Sequence, residues 1–380
     1  MRIGISTSVI QRGKTGVAQY LFALLRAFLT CGDSHEFILF VLEEDLPLFQ
    51  FARERMRVIV VPERFRSPVK NIVWHQSQLP RLAASHQLDV LHVPSYRRMV
   101  WSAPCARVAT IHDLAPFHVA KKYDWRRMLY GRVVARHLAA RQHCIIAISR
   151  NTARDILRFF KLPGERVSVV YNGLEHGRFF PEPGNAAREL AARQYRLEAP
   201  FFLYVARLEH PAKNHVRLIA AFDRFKTLTR SPWQLVFAGS DWHGAESVHA
   251  AVRQSPFAAD IRLLGFVPDA ALPDLYRAAS AFVYPSLYEG FGMPPAEAMA
   301  CGTPVISSLN GSLAEVVGDA AATINPEDVE SISGALTRLV TDPELRRKLV
   351  AAGTTQAKKF DWNKTATECL RVYEQAVARA

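Results

Sequence analysis

The sequence predicts an α/β protein made of two Rossmann-like domains, each with a parallel sheet. Three observations predict it. Short apolar strands alternate with amphipathic helices along the chain, the signature of βαβ units. The segment EHGRFFPEPGNAAREL (175–190), with two Pro and two Gly, reads as a linker, and the alternation restarts after it. Finally, 380 residues are too many for one ordinary core. The economical arrangement is two domains facing each other across a cleft, 1–177 and 178–361, with a last helix, 362–380, crossing back to the first.

The elements follow in order. RIGISTSV (2–9) is a strand before a helix from about Gly16 to Cys31. EFILFVL (36–42), RVIVVP (57–62), DVLHV (89–93) and RVATIHD (107–113) are further strands. A helix from Asp124 leads into CIIAIS (144–149), a helix from Arg150, and VSVVYNG (167–173). In the second domain FFLYVA (201–206), WQLVFAG (233–239), IRLLGFV (261–267), AFVYPS (281–286), TPVISS (303–308) and AATI (321–324) are strands separated by helices. DWNKTATECLRVYEQAVARA (361–380) is an amphipathic helix. Open sheets of this kind place ligands at the carboxyl ends of their strands, so the loops after the strands are the places to search.

Composition, 49% hydrophobic and 22% charged, is that of a soluble globular protein. No apolar run approaches the roughly 18 residues of a spanning helix. The start MRIGISTSVIQRGK lacks the long apolar core of a signal peptide. The five cysteines (31, 105, 144, 301, 369) are scattered and form no CxxC, which suits a reducing cytoplasm and argues against a disulfide frame or zinc site. Charge is unevenly shared: residues 1–180 hold 27 Lys and Arg against 13 Asp and Glu, while the remainder holds 21 against 22. An anionic membrane surface on the cytoplasmic side is the better partner for the basic half. Nucleic acid is not expected, since there is no RNP motif, zinc finger or long basic tract. A generally Arg-rich composition with solvated faces is the competing account.

Four stretches carry candidate chemistry. VARLEHPAKNHVRLIAAF (205–222) puts Arg207 at a strand end and Lys213 just before a helix, a seat for a diphosphate or simply two surface cations. QRGKTGVAQYL (11–21) has Gly13 and Gly16 three apart, matching neither GxGxxG nor, with Ser8 in place of the first glycine, the phosphate loop. It offers close backbone approach, or glycines needed only for packing. ATIHDLAPF (109–117) ends a strand with His112, which could bond a sugar hydroxyl, a phosphate or a backbone carbonyl. No Asp-x-Asp or metal-like His spacing occurs, so a metal-held diphosphate is not expected.

AFVYPSLYEGFGMPPAEAMACGTPVI (281–306) reads as strand, loop, helix, Gly stop, strand. The eight-residue spacing of Glu289 and Glu297 means little alone, because Glu36 and Glu44 share it. The setting means more. Glu289 lies in a loop beside Gly290 and Gly292, where a ligand can touch main chain, and a carboxylate accepts two vicinal hydroxyls at once. Glu297, early in the helix, is either a ribose ligand or a carboxylate favoured by the helix dipole.

Assembled, these residues resemble the retaining GT-B glycosyltransferases of family 4 over nearly the whole length. The carriers are the Gly13–Gly16 loop, TIHD, IIAISRNTARDI, VVYNGLEHGRF, ARL…KN, LGFVPDAALPDLY, the E-x7-E stretch and GSLAEVVGDAA. The resemblance implies a nucleotide-sugar held mainly by the second domain and an acceptor held by the first. It implies no cofactor. Arg207 and Lys213 would hold the diphosphate, and Glu289 the donor sugar with the N–H groups of Phe291, Gly292 and Met293. Glu297 would hold the ribose, the main chain near Val267 the base, and His112 the sugar's far hydroxyl. Asn172 and Gly173 would sit at the hinge. Many relatives read GGxxEV and Lys-Gly where this chain has Asn310-Gly311-Ser312-Leu313-Ala314-Glu315 and Lys213-Asn214, which puts the local loop shape in question. HDLAPF…KYDWRRMLYGRVVARHLAARQ is similar to bacterial polysaccharide transferases. That favours GDP-mannose and a polyprenyl-diphosphate-linked or polysaccharide acceptor. The basic helix 126–142, with Arg126, Arg127, Arg132, Arg136 and Arg141, would suit a membrane or a lipid diphosphate. The rival readings are a hydrolysing sugar-nucleotide epimerase of the same shape and a non-catalytic nucleotide-sugar binder.

Overall fold

Both sheets are wholly parallel, as expected of strands joined by helices rather than hairpins. The computed structural model describes residues 1–13, 15–32, 34–118, 130–182 and 184–380, apart from the side chains of Pro116 and Arg132. The chain divides into two units, 1–173 with 360–380, and 174–359.

The first unit holds seven strands: β1 (Arg2–Ser6), β2 (Glu36–Leu42), β3 (Arg57–Val61), β4 (Val90–Val93), β5 (Ala106–Ile111), β6 (Cys144–Ala147) and β7 (Val167–Val169). Their order is β3-β2-β1-β4-β5-β6-β7. In β2 every residue after Glu36 is buried, because helices cover both faces of the sheet. One core layer gathers Ile111, Leu138, Ile145 and Phe160. The other gathers Phe40, Trp74, Leu79 and Leu91. Helix α1 (Gly16–Cys31) starts on Thr15, whose hydroxyl accepts the Ala18 N–H. Helix α2 (Pro68–Ser85) starts on Pro68, preset for a first helical turn.

The helix Trp362–Val377 belongs to this unit and is capped by Asp361. Tyr373 donates to or accepts from His92 Nδ1 at 2.8 Å, and His92 Nε2 lies 2.8 Å from Thr110 Oγ1. This polar chain, buried between helix and sheet, fixes the helix on β4 and β5. Burial holds the His92 imidazole neutral, its pKa pushed down to about 3.

The second unit holds β8 (Phe201–Val205), β9 (Gln234–Ala238), β10 (Ile261–Leu263), β11 (Ala281–Tyr284), β12 (Val305–Ser308) and β13 (Ala321–Ile324), ordered β10-β9-β8-β11-β12-β13. In each sheet the order reverses direction once, between β1 and β4 in the first and between β8 and β11 in the second. Such a switch point opens a crevice at the carboxyl ends of the strands.

Two expectations change. Several strands stop short of the predicted ends: β7 closes at Val169 rather than 173, and β10 at Leu263 rather than 267. The apolar pattern runs on because Val170 still donates its N–H to Ala147 of β6 at 2.9 Å, Leu174 forms an isolated bridge, and Val267 is buried in a loop. Second, 175–190 is no free linker. Phe179 is buried against Tyr276, Arg178 donates to the Asp269 carbonyl at 2.5 Å, and a helix, Ala186–Tyr195, begins inside it. The predicted helix start at Asp124 lies outside the described residues. Among the described residues no helix is long and apolar enough to cross a membrane.

Candidate active site

Lys213 and Glu289 meet. Lys213 ends the loop after β8 and Glu289 lies in the loop after β11, so the switch point brings together residues 76 positions apart. Lys213 Nζ donates to Glu289 Oε1 at 2.6 Å, and the side chains keep only 18% and 14% of their surface. The same Oε1 accepts from Ser286 Oγ at 2.6 Å and Tyr284 Oη at 3.0 Å. Oε2 takes no hydrogen bond among the described residues and is not sealed from solvent. One oxygen is therefore immobilised and the other presented. Burial alone would raise the Glu289 pKa, but the Lys213 ammonium and the two hydroxyls outweigh it and hold the carboxylate below its usual range. Burial likewise opposes the Lys213 charge, and Glu289 more than restores it.

The frame around the pair is tight. Tyr204 Oη donates to the Lys213 carbonyl at 2.6 Å. Asn214 opens the helix His215–Thr229 at φ 62, a left-handed conformation Asn tolerates. Its Nδ2 donates to the carbonyls of Pro285 at 3.0 Å and Pro326 at 2.6 Å. At this departure from Lys-Gly, Asn214 thus takes a backbone conformation open to glycine and adds two bonds glycine could not make. The departure from GGxxEV is similar. Gly311, at φ 65, brings its backbone so close that an added Cβ would stand 2.6 Å from the Glu289 carbonyl oxygen. Ser312 then donates from N at 3.2 Å and from Oγ at 3.0 Å to that carbonyl, and from Oγ to the Phe291 carbonyl at 2.7 Å.

Gly290 and Phe291 continue the loop, and Gly292, at φ 111, precedes the helix Met293–Ala300. A Cβ on Gly292 would meet Leu313 at 2.6 Å. Met293 opens the helix, where a main-chain N–H lacks an intrahelical acceptor; Pro294 and Pro295 after it carry no N–H, so Met293 is the donor of that first turn. Arg207 follows β8, exposed, its guanidinium 4.4 Å from the Trp242 ring centroid. Val267 buries its side chain, so only its main chain can meet a ligand, while neighbouring Phe266 is 72% exposed.

Glu297 stands apart from the pair. Its Oε2 accepts from Tyr276 Oη at 2.8 Å. Burial pushes its pKa up to about 7, against the pull of the Tyr276 bond and Arg178. The helix dipole therefore does not account for this carboxylate; the fifth helical residue lies beyond the first turn where that effect acts.

The remaining candidates are in the first unit. His112 directly follows β5, packed edge-on to Tyr20 with centroids 4.7 Å apart. Burial lowers its pKa to about 4, although Asp113 and a bond to the Pro94 main chain favour the charged form. The ring is neutral at pH 7, and Nε2 is buried with no partner among the described residues. Gly13 adopts φ 79, and the loop holds it through N–H donation to Ile10 at 3.0 Å. Gly16 starts α1 with nothing within 4 Å of a would-be Cβ, so packing does not demand a glycine there. Lys14 lies outside the described residues. Sequence reasoning missed Tyr284, Ser286, Ser312 and Trp242. Only Ser286, three before Glu289, carries a local signal, a short hydroxyl able to bond back within a turn.

Comparisons with known proteins bear on the fold and the family. The crystal structure of Anabaena HepE in complex with UDP and glucose superposes with a TM-score of 0.78 at 18% identity, covering 98% of both chains. The fold is GT-B. The family model "Glycosyl transferases group 1" matches residues 188–356 and "Glycosyltransferase Family 4" residues 14–178. The chain is 28% identical over 392 residues to an Escherichia coli O-antigen chain mannosyltransferase B, covering 98% of this chain and all of the relative. It is 31% identical over 271 residues to the E. coli serotype-specific mannosyltransferase WbdA, covering 69% of this chain but 32% of that longer protein. The chain belongs to the group 1, family 4 glycosyltransferases, and it is a transferase.

Proposed function

We propose that the chain transfers mannose from GDP-mannose, with retention of configuration, to a polyprenyl-diphosphate-linked or polysaccharide acceptor, working peripherally on the cytoplasmic side of a membrane. The observation that carries the reading is the Lys213–Glu289 pair at the β8/β11 switch point. The names of its mannosyltransferase relatives support the sugar.

Breaking the sugar–phosphate bond builds negative charge on the diphosphate and positive charge on the sugar. Lys213 has further ammonium protons beyond the one donated to Glu289, and with Arg207 and the Met293 N–H that opens Met293–Ala300 it meets the developing anion. Because these groups are held before substrate arrives, they need little reorganisation as charge develops. No metal bridge is required of this arrangement. Glu289 Oε2 accepts donor-sugar hydroxyls, and the family resemblance gives neutral His112 the part of a further hydroxyl acceptor. Val267 main chain meets the base and Glu297 the ribose. The acceptor hydroxyl attacks the face the diphosphate leaves, and its proton passes to the departing phosphate oxygen. Purified protein incubated with GDP-, UDP- and ADP-sugars and a lipid-linked saccharide tests this. GDP-mannose should raise the melting temperature most and yield an α-linked product by NMR. A β-linked product, or turnover of donor without acceptor, would refute it.

A further inference from the structure

We propose that one face of the first unit, centred on α2 and Trp101, docks on an anionic lipid surface. This rests on the peripheral reading above and gives it a location. Along α2, Val69, Val73, Gln76, Pro80 and Ala84 succeed one another about one turn apart and form a single stripe. Val69 is 73% and Val73 55% exposed, unusual for β-branched apolar residues on a helix. Trp101 extends the stripe sideways. Its main-chain N–H donates to Gln76 Oε1 at 2.9 Å, Gln76 Nε2 donates to the Met99 carbonyl at 2.9 Å, and the residue remains 49% exposed. Two valines and a tryptophan therefore project from one rigid surface.

Cations flank them. Lys70 and Arg81 lie on one side of the stripe, and Arg141 stacks over the Trp101 ring at 4.4 Å. All three are exposed, and among the described residues none pairs with a carboxylate. The region has little negative charge to oppose them. From Arg64 to Arg107 there are seven Lys and Arg and one acid, Asp89, whose carboxylate accepts the Arg2 N–H at 2.7 Å. Arg141 and the exposed Arg136 also belong to the predicted basic helix 126–142, whose Arg126 and Arg127, and the Arg132 side chain, lie outside the described residues. An apolar stripe with an amphipathic indole and unpaired cations beside it is the pattern that inserts shallowly among lipid headgroups. A protein partner would more often meet a patch depleted of Lys at its centre.

The test is co-sedimentation of the full chain with phosphatidylcholine vesicles, with and without phosphatidylglycerol. Wild type should bind the phosphatidylglycerol vesicles and release as salt rises. Val73→Ser with Trp101→Ser should weaken binding at least about tenfold. Replacing Lys70, Arg81 or Arg141 by Gln should weaken it about fivefold per cation. Every variant should keep wild-type binding of nucleotide-sugar in solution, a check that the fold is intact. If wild type binds and these variants bind equally well, this face is wrong while membrane association stands. If wild type binds native membranes but no protein-free vesicle, a membrane protein is the partner and the proposal falls. If wild type binds neither, the peripheral reading falls with it.

Discussion

Replacing Lys213 by Met should convert the Glu289 carboxylate from a stabilising group into a destabilising one. Removing one member of a fully buried ion pair costs about 3–5 kcal/mol. Here the side chains keep 18% and 14% of their surface, and Ser286 and Tyr284 still donate to the orphaned carboxylate. A loss of about 2–3 kcal/mol at pH 7 is expected. The pH dependence identifies the cause. In wild type the depressed Glu289 pKa contributes stability above the usual glutamate value of 4.5, lost as pH falls. The raised Lys213 pKa contributes stability below the usual lysine value of 10.5, lost as pH rises. Between those limits the pair acts fully. In Lys213→Met burial is left to raise the carboxyl pKa, so the variant should be closer to wild type at pH 4 than at pH 7. Denaturant unfolding at both values measures this, with Lys213→Met/Glu289→Gln as the reference. The double variant should be more stable than the single at pH 7, with a coupling of about 1–3 kcal/mol. A single variant as stable as the double at pH 7, or a deficit unchanged at pH 4, would refute the account.

Other outcomes follow from the same geometry. Glu289→Ala should lower the transfer rate by about two orders of magnitude with far-UV circular dichroism unchanged. Glu297→Gln should be more stable than wild type at pH 8 and equal to it below pH 4.5, because a pKa raised to about 7 makes ionisation costly only above the usual value. Its donor KM should rise if the carboxylate holds a ribose. His112→Ala should lower kcat/KM, and the wild-type rate should show no inflection from this ring near pH 6.5, since it stays neutral above about 4. Asn214→Gly should cost roughly 1–2 kcal/mol through its two lost bonds to Pro285 and Pro326.

The alternation of strands and helices is legible because parallel strands covered on both faces read as unbroken apolar runs, as β2 does. Strand ends are less legible. Val267 is as apolar and buried as a ladder residue, and only pairing, which sequence does not display, separates it. At the site, Arg207, Lys213, Glu289 and His112 can be found individually from their place after strands. That Lys213 and Glu289 form one unit cannot, because it depends on β8 and β11 being neighbours although two strands, β9 and β10, lie between them in the chain. Tyr284 and Ser312 escape for the same reason: each matters through what it touches. Residues 175–182 mislead because Pro and Gly signal a break while Phe179 and Arg178 anchor the segment.

The Tyr373–His92–Thr110 chain has a consequence for biosynthesis. Domains usually mature in the order they leave the ribosome. Here the first unit lacks a wall of its core until residue 373 has emerged, whereas residues 174–359 form the other unit without interruption. The N-terminal half is thus synthesised first and completed last. Until then β4 and β5 present an uncovered apolar face and a buried-type histidine to water, and a stalled or truncated chain would expose the same surface to chaperones and proteases.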